Sequence, residues 1–368
     1  MIEYNTVKAF ANASPDLYNA FKQYADDDMA RRGVPGKSLS GVSVDIMEKA
    51  INKEFALELE RRTGYSVEKQ FDGSVQRYAN NMVVREMADN IRDFLIDMVL
   101  PETLMNSAIR YFADFKFAPL GDSMSFNLEN NALYTVSRAG YRKRDTNLQK
   151  LYNTTVTLVP ENHMLTVGTD LFEVLSGRVS IARETMKAVR SIETAMLFDA
   201  YNAFQTAMNG LTGNLKVANY SETSLIKLCE TVTAYNQNRK AIILGTPVAL
   251  KTVLPDNNNY RYMLESDYVK LGSIQNFNGY DVVPLEQFAD PYNYDTPYSL
   301  KLDDSKIYVV SPAAGKLVHI GVGGDTMSHT NDTYDHANLL QMSTISKAWD
   351  TVVATNSIAG IVDNLERA

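Results

Sequence analysis

Cysteine and histidine are scarce: one thiol, Cys229, and four imidazoles serve a chain of 368 residues. A single cysteine forms no internal disulfide, so a disulfide-stapled scaffold is excluded and the chain fits a compartment where thiols stay reduced. Cys229 lies in a helical-looking run and reads as a small buried apolar residue rather than a nucleophile. An excess of positive charge is also missing. Thirty-six Lys and Arg against 44 Asp and Glu give a net charge of -8 and a pI near 5.2, which argues against a surface that grips nucleic acid by counterion release. No apolar run approaches bilayer-spanning length, so no membrane partner is expected. The first ten residues, MIEYNTVKAF, lack the basic start and apolar stretch of a secretion signal. There is no GxSxG elbow, no phosphate-cradling Walker loop and no HExxH pair.

What is present is ordinary soluble-globular material, 45% apolar and 22% charged, long enough for two or three compact units. Its most distinctive stretch runs from Thr169 to Gly210. Ala182, Met186, Val189, Ile192, Met196, Ala200, Phe204 and Met208 recur at gaps of three or four, the stripe of an amphipathic helix. Asp170 followed by Glu173 reads as a capping box, Gly177 as a break, and Asn209-Gly210 as a left-handed stop. From Arg178 to Met208 the helix would span roughly 45 Å.

Before it, residues 1–64 read as polar helices. Ser14-Pro15 caps one that stops at Gly33, and Ser43 opens another that ends before Gly64. Neither is very apolar, so both are expected to lie on another surface. The triplet Asp26-Asp27-Asp28 reads as a solvated face, because consecutive helical carboxylates point about 100° apart. From Val83 to Phe112 apolar residues recur at helix spacing, with Pro101 expected to kink or restart the chain. The period then becomes two. Met124, Phe126 and Leu128 form one strand, and Tyr152, Thr154, Val156 and Leu158 form its return before Pro160. Between the strands lies a basic tip with Arg138, Arg142, Lys143 and Arg144. An isolated hairpin is marginal, so this arm is expected to find its partner surface on another subunit, with the four tip cations as inter-subunit contact candidates.

After the long helix the texture is that of an α/β lobe. Ser221 caps a helix to about Tyr235, Lys240–Leu244 is a strand, Thr246-Pro247 opens a helix, and Asn278-Gly279 turns into a strand. Residues 284–304 read as a surface loop. Residues 306–310 and 316–320 read as strands, Gly321 to Tyr334 as a loop, Leu339 to Ala354 as one or two strands, and Ser357 to Val362 as a last one.

The search for chemistry finds little. Gly321-Val322-Gly323-Gly324 superficially has the look of a phosphate loop, but no amphipathic helix follows it, so it reads as a turn. His329, Asp332, Asp335 and His336 would sit in a polar loop, which reads as solvated rather than as a metal site. No catalytic, cofactor-binding or metal residue is assigned, and no cofactor is expected.

The order of parts, however, resembles a known family. A two-stranded arm ends in Leu158-Val159-Pro160, and a polar link leads to Asp170-Leu171-Phe172-Glu173-Val174-Leu175 and a long helix. A lobe with Ile242-Ile243-Leu244-Gly245-Thr246-Pro247 and Leu271-Gly272-Ser273-Ile274-Gln275-Asn276-Phe277-Asn278-Gly279-Tyr280-Asp281-Val282 follows, and strands close the chain. Over about residues 80–368 this is similar to the major capsid proteins of tailed bacteriophages, with the Hong Kong 97-type α+β fold that encapsulins share. The resemblance implies an N-terminal helical arm at 1–80 and an extended arm at 117–165. It implies a peripheral domain at 81–116, 166–217 and 326–368, with its spine helix at about 170–209, and an axial domain at 218–325. It also implies a non-enzymatic subunit that assembles with itself into hexamers and pentamers of an icosahedral head in the host cytoplasm. The head would enclose double-stranded DNA without reading its sequence, with portal, scaffolding and decoration proteins as partners. Some members crosslink an arm lysine to a neighbour; Lys143 and Lys150 lie in this arm, and neither is matched to that role. An encapsulin-like compartment is the alternative, disfavoured by the long N-terminal helical segment. A soluble enzyme with a site around His329 and His336 is the remote one.

Overall fold

The computed structural model describes residues 5–34, 36–119, 122–136, 148–168, 170–254, 274–289, 298–330 and 342–365. Their elements, in chain order, begin with helices α1 (Asn5–Ala13), α2 (Pro15–Arg31), α3 (Val44–Thr63), α4 (Val67–Gln70), α5 (Val75–Ala79) and α6 (Met82–Asn106). Strands β1 (Ala113–Ala118), β2 (Met124–Leu128), β3 (Thr154–Leu158) and β4 (Glu161–Gly168) follow, then α7 (Leu171–Leu175) and the long α8 (Ile181–Asn209). Next come β5 (Lys216–Val217), α9 (Glu222–Tyr235), β6 (Ile242–Gly245), α10 (Pro247–Leu250), β7 (Asn276–Phe277) and β8 (Tyr280–Pro284). The chain closes with β9 (Ile307–Val310), β10 (Val318–Thr330), β11 (Met342–Val353) and β12 (Gly360–Val362). It is the mixed α+β architecture expected from the sequence.

The strands form three sheets, ordered β1-β10-β11-β4, β5-β12-β9-β6-β8-β7 and β2-β3. Helix α8 ties the first two together. Its buried stripe of Ala182, Met186, Val189, Ile192, Met196, Ala200, Phe204 and Met208 is the one read from the periodicity. Toward its N-terminal side the stripe shares a core with Val318, Ile320, Val322, Ile345 and Trp349 of the four-stranded sheet. Toward its end, Phe204 stacks on Phe112 at 4.1 Å and meets Tyr308 of the six-stranded sheet edge-on at 4.9 Å. The helix is therefore apolar along one continuous face because it serves two sheets in succession. Asp170 caps α7, Gly177 at φ 74° ends it, and Ser180 caps α8. Gly210 is right-handed at φ -74°, so the expected left-handed stop is absent and the last turn simply closes back on Met208 and Thr206.

Three further expectations are corrected. Helix α6 runs unbroken through Pro101, because Val99, Leu100 and Leu104 are all buried in the core and their packing outweighs the lost hydrogen bond. The polar link after Pro160 is strand β4, paired along its whole length with β11. Its alternating exposure marks the open edge of a sheet. The glycine-rich stretch from Gly321 is strand as far as Thr330; residues 331–334 lie outside the described residues. The N-terminal helices do lie on another surface, as expected. Leu17, Phe21, Ile51, Phe55 and Leu59 enter the same core as α6 and α8.

Sheet membership also crosses the expected boundary at 325. Strand β10 joins the four-stranded sheet from Val318 onward, while β5 and β12 join the six-stranded sheet. The lobe's second core lies between that sheet and α9 and α10, where Leu225, Leu228, Val232, Ile243 and Val309 meet.

Candidate assembly surface

Strand β10 carries three different jobs on thirteen residues. Even-numbered residues Val318, Ile320 and Val322 face the helical core. The odd-numbered His319, Gly321 and Gly323 therefore point to the opposite side, and there they seat the base of the β2–β3 arm. A methyl group placed on Gly321 would lie 2.7 Å from Leu158 Cδ2 and 2.8 Å from Met124 Sδ. One on Gly323 would lie 3.0 Å from Pro160 Cγ. The glycines that read as a turn are thus absences of side chain, which let the arm lie directly on the sheet.

His319 completes this seat. Its ring meets that of Phe126 at 4.6 Å, and Nε2 is 2.9 Å from the Ala354 carbonyl. Burial holds its pKa below the ordinary value, outweighing the opposing influence of the Ala354 carbonyl and Asp114. Polar clasps finish the seat. Lys116 Nζ donates to the Ser125 carbonyl at 2.8 Å, and Asn356 Nδ2 donates to the carbonyls of Leu128 and Glu129 at 3.1 and 3.0 Å. The buried Asn131 donates to the Ala314 carbonyl at 2.7 Å, and its own carbonyl accepts from Gln237 at 3.0 Å.

Beyond this base the described residues of the arm are open. Leu133, Tyr134, Val136, Leu148 and Tyr152 are exposed, Val136 to 94% and Leu148 to 84%. Apolar residues of this size left in water on both the outgoing and the returning segment mark an interaction surface. The basic tip residues Arg138, Arg142, Lys143 and Arg144 lie outside the described residues. Lys150 is exposed in the returning segment.

Past the seat, β10 meets α6 through a row of buried acids that the sequence reading missed. Asp89, Asp93 and Asp97 recur every four residues on α6, while Thr326, Ser328 and Thr330 recur every two on β10. Four helical residues rise about 6.0 Å and two strand residues about 6.6–6.8 Å, so the rows run in step. Asp97 accepts from Thr326 N at 2.8 Å, Thr326 Oγ1 at 2.6 Å and Lys347 Nζ at 2.7 Å. Asp93 accepts from Ser328 N at 2.8 Å and from the Ser328 hydroxyl. Asp89 accepts from Thr330 Oγ1 at 2.6 Å and Arg92 at 2.7 Å. Burial raises Asp93 to about 7, against the lowering effect of its two Ser328 bonds. The four-residue spacing of Asp along the buried face of the helix was the available signal.

Ion pairs hold the N-terminal helices to the same body. Arg32 forks onto Glu193 of α8 with two 3.0 Å bonds, and Arg190 pairs with Asp28. The hydroxyl of Ser14 does not cap α2. It donates to the buried Glu58, which also holds Arg61 and Arg62. Asp27 of the acidic triplet accepts from the Ser40 amide and hydroxyl at 2.9 and 2.6 Å, so the triplet is not a uniformly solvated face. Asn52 grips the start of α8, accepting from Ile181 N and donating to the Val179 carbonyl, both at 3.0 Å.

Among the described residues, those considered for chemistry are not brought together. Cys229 is buried in α9 with its pKa pushed up to about 12 by burial, so the thiol stays protonated. His329 is exposed on β10, and Asp332, Asp335 and His336 lie outside the described residues. Among the described residues no group of His, Cys, Asp and Glu is arranged to hold a metal ion, and no helix is long and apolar enough to cross a membrane.

Comparison with known proteins gives one family. Residues 44–363 match the family described as SPbeta prophage-derived putative capsid protein YonB. No curated protein matches the chain. Among solved structures, it is similar to a phage-related protein of Bordetella bronchiseptica RB50, at 12% identity over 75% of this chain and 96% of that one, with a TM-score of 0.45. The capsid of cyanophage P-SCSP1u is also similar, at 12% identity, 70% and 87% coverage, and a TM-score of 0.44. The mature capsid of bacteriophage PhiM1 follows, at 12% identity, 71% and 88% coverage, and 0.42.

Proposed function

We propose, from the premise that the chain belongs to the YonB family of SPbeta prophage-derived capsid proteins, that it is the major subunit of an icosahedral phage head. The observation that carries this reading is the arm: its base is fixed on β10, and its outer residues Leu133, Val136 and Leu148 are apolar and exposed. A neighbouring copy buries them, and repetition of that head-to-tail contact closes rings. In this reading the subunits form hexamers and pentamers, the four-stranded sheet with α6 and α8 is the peripheral domain, and the six-stranded lobe is the axial domain. The arm spans about residues 119–160, between strands β1 and β4 of the four-stranded sheet. Residues 5–80 are a helical layer packed on the subunit's own body.

The role is structural rather than catalytic. The head encloses double-stranded DNA without reading it, which suits a chain of net charge -8. It assembles in the host cytoplasm with portal, scaffolding and decoration proteins as partners. The test is the content of purified particles after nuclease treatment. Protected double-stranded DNA is expected, and a packaged enzyme with no DNA would transfer the chain to the compartment-forming alternative. Replacing Arg138, Arg142, Lys143 and Arg144 together with Ser should leave the subunit folded and impair shell formation. Unchanged particles would show that the tip is merely solvated.

A further inference from the structure

Strand β10 does not run evenly past β11. The pairing Gly323↔Ala348 gives way to Met327↔Ser346, so two extra residues bulge from β10 at that step. Gly324 stands at the bulge in the left-handed region, φ 67°, a conformation open to glycine and costly for other residues. On one side of the bulge lie His319, Gly321 and Gly323, which seat the arm. On the other lie Thr326, Ser328 and Thr330, which are locked to the acids of α6.

The residue of β11 facing the bulge is Lys347, and it leaves the pairing register there. Its side chain is 1% exposed and that of Asp97 is 2% exposed. Lys347 Nζ spans the bulge, donating to Asp97 Oδ1 at 2.7 Å and to the Gly324 carbonyl at 2.8 Å. From the other side, Thr6 of α1 donates to Asp325 at 3.3 Å. One ammonium group thus joins three elements: the strand at its kink, the adjacent strand and helix α6. A buried ion pair contributes little net stability compared with well-packed apolar residues, and its best-attested use is to specify one geometry among alternatives.

We propose that the Gly324–Thr326 bulge is a hinge between the two halves of β10, the half that seats the arm and the half locked to α6, and that the Lys347–Asp97 pair is the pin that fixes its angle. Bulges bend a strand and increase its local twist, so the bend at Gly324 sets the direction in which the seated arm leaves the sheet. The pin holds that direction without touching the arm. The importance of this angle for assembly rests on the shell reading; the hinge itself does not.

The test is a distance distribution between the arm and α6, read by paired spin labels on the full chain before assembly. Glu129→Cys and Asn90→Cys place labels on exposed positions of the arm base and of α6, and the buried Cys229 does not react. With Lys347 in place a single narrow distribution is expected. Lys347→Met with Asp97→Asn removes both charges at similar volume, and the distribution should broaden by about twofold or more while the fold persists. Lys347→Met alone should do the same. A distribution as narrow as that of the unmodified pin, in a folded variant, would overturn the proposal. So would loss of the folded state in both variants, since the pair would then hold the fold rather than an angle. Absence of shells from the unmodified chain would sink the shell reading and leave this measurement unaffected.

Discussion

Replacing Gly321 by Ala probes the arm seat with a single methyl group. Gly321 is not in the left-handed region, so only space is at issue. The new Cβ would lie 2.7 Å from Leu158 Cδ2 and 2.8 Å from Met124 Sδ, both closer than atoms tolerate. Two responses are available. Lifting the arm would expose Met124, Phe126 and Leu158, each worth about 1.5–3 kcal/mol when buried, or about 5–9 kcal/mol together. Keeping the arm seated with displaced side chains costs about 1–3 kcal/mol, typical of overpacking. The seated response wins. A gain of about 0.5–1 kcal/mol from replacing glycine within a strand offsets part of it, leaving a net loss between about 0 and 2.5 kcal/mol. Leu158→Ala alone should cost about 2–5 kcal/mol by leaving a cavity, yet that cavity is where the methyl group introduced by Gly321→Ala fits. The double variant should therefore be more stable than the two losses predict, with a coupling of about 1 kcal/mol or more in a guanidinium-unfolding cycle. Additive losses in the double variant would refute contact between the arm and β10.

Ala200 is fully buried at the middle of α8; Ala200→Pro should cost about 3 kcal/mol or more and yield little soluble protein, whereas Ala200→Gly should cost about 1 kcal/mol, both measured by thermal melting. Asp93 titrates higher in the folded chain than a free carboxyl, at about 7, so the folded state holds its proton more tightly. Its contribution is fully present below the ordinary carboxyl range and is lost as pH rises toward 7; Asp93→Asn should flatten the fall in melting temperature over that window. Arg32→Ala leaves the buried Glu193 without its two guanidinium bonds and should cost about 2 kcal/mol by chemical denaturation, discounted for the partly exposed arginine.

Elements whose signal is local were legible in the sequence. Thr246-Pro247 and Ser221 mark the starts of α10 and α9, and the three-and-four spacing from Ala182 to Met208 is the buried stripe of α8. Elements whose signal belongs to a distant partner were not. Gly321 and Gly323 have the composition of a turn, and only Leu158 and Pro160, more than 150 residues upstream, explain why a strand needs them. Pro101 argues locally against a continuous helix, and the burial of its neighbours overrides it. Strand β4 has the composition of a link because an open edge shows polar side chains on its wet face. The polar N-terminal helices suggested a partner surface correctly, but nothing in their pattern says that Glu48, Asp28 and Arg32 meet Arg183, Arg190 and Glu193 of the same chain. The acids at 89, 93 and 97 were visible as a four-residue spacing, and the matching hydroxyl row was hidden in a stretch with the composition of a loop.

Electron microscopy of the purified, expressed chain bears most directly on the shell reading. Closed particles of uniform diameter with hexameric and pentameric units are expected, and disruption of Leu133, Val136 and Leu148 by Asp substitution should abolish them while leaving a folded subunit. A discrete small oligomer as the end state of the unmodified chain, or intact shells from the Asp variant, would contradict it.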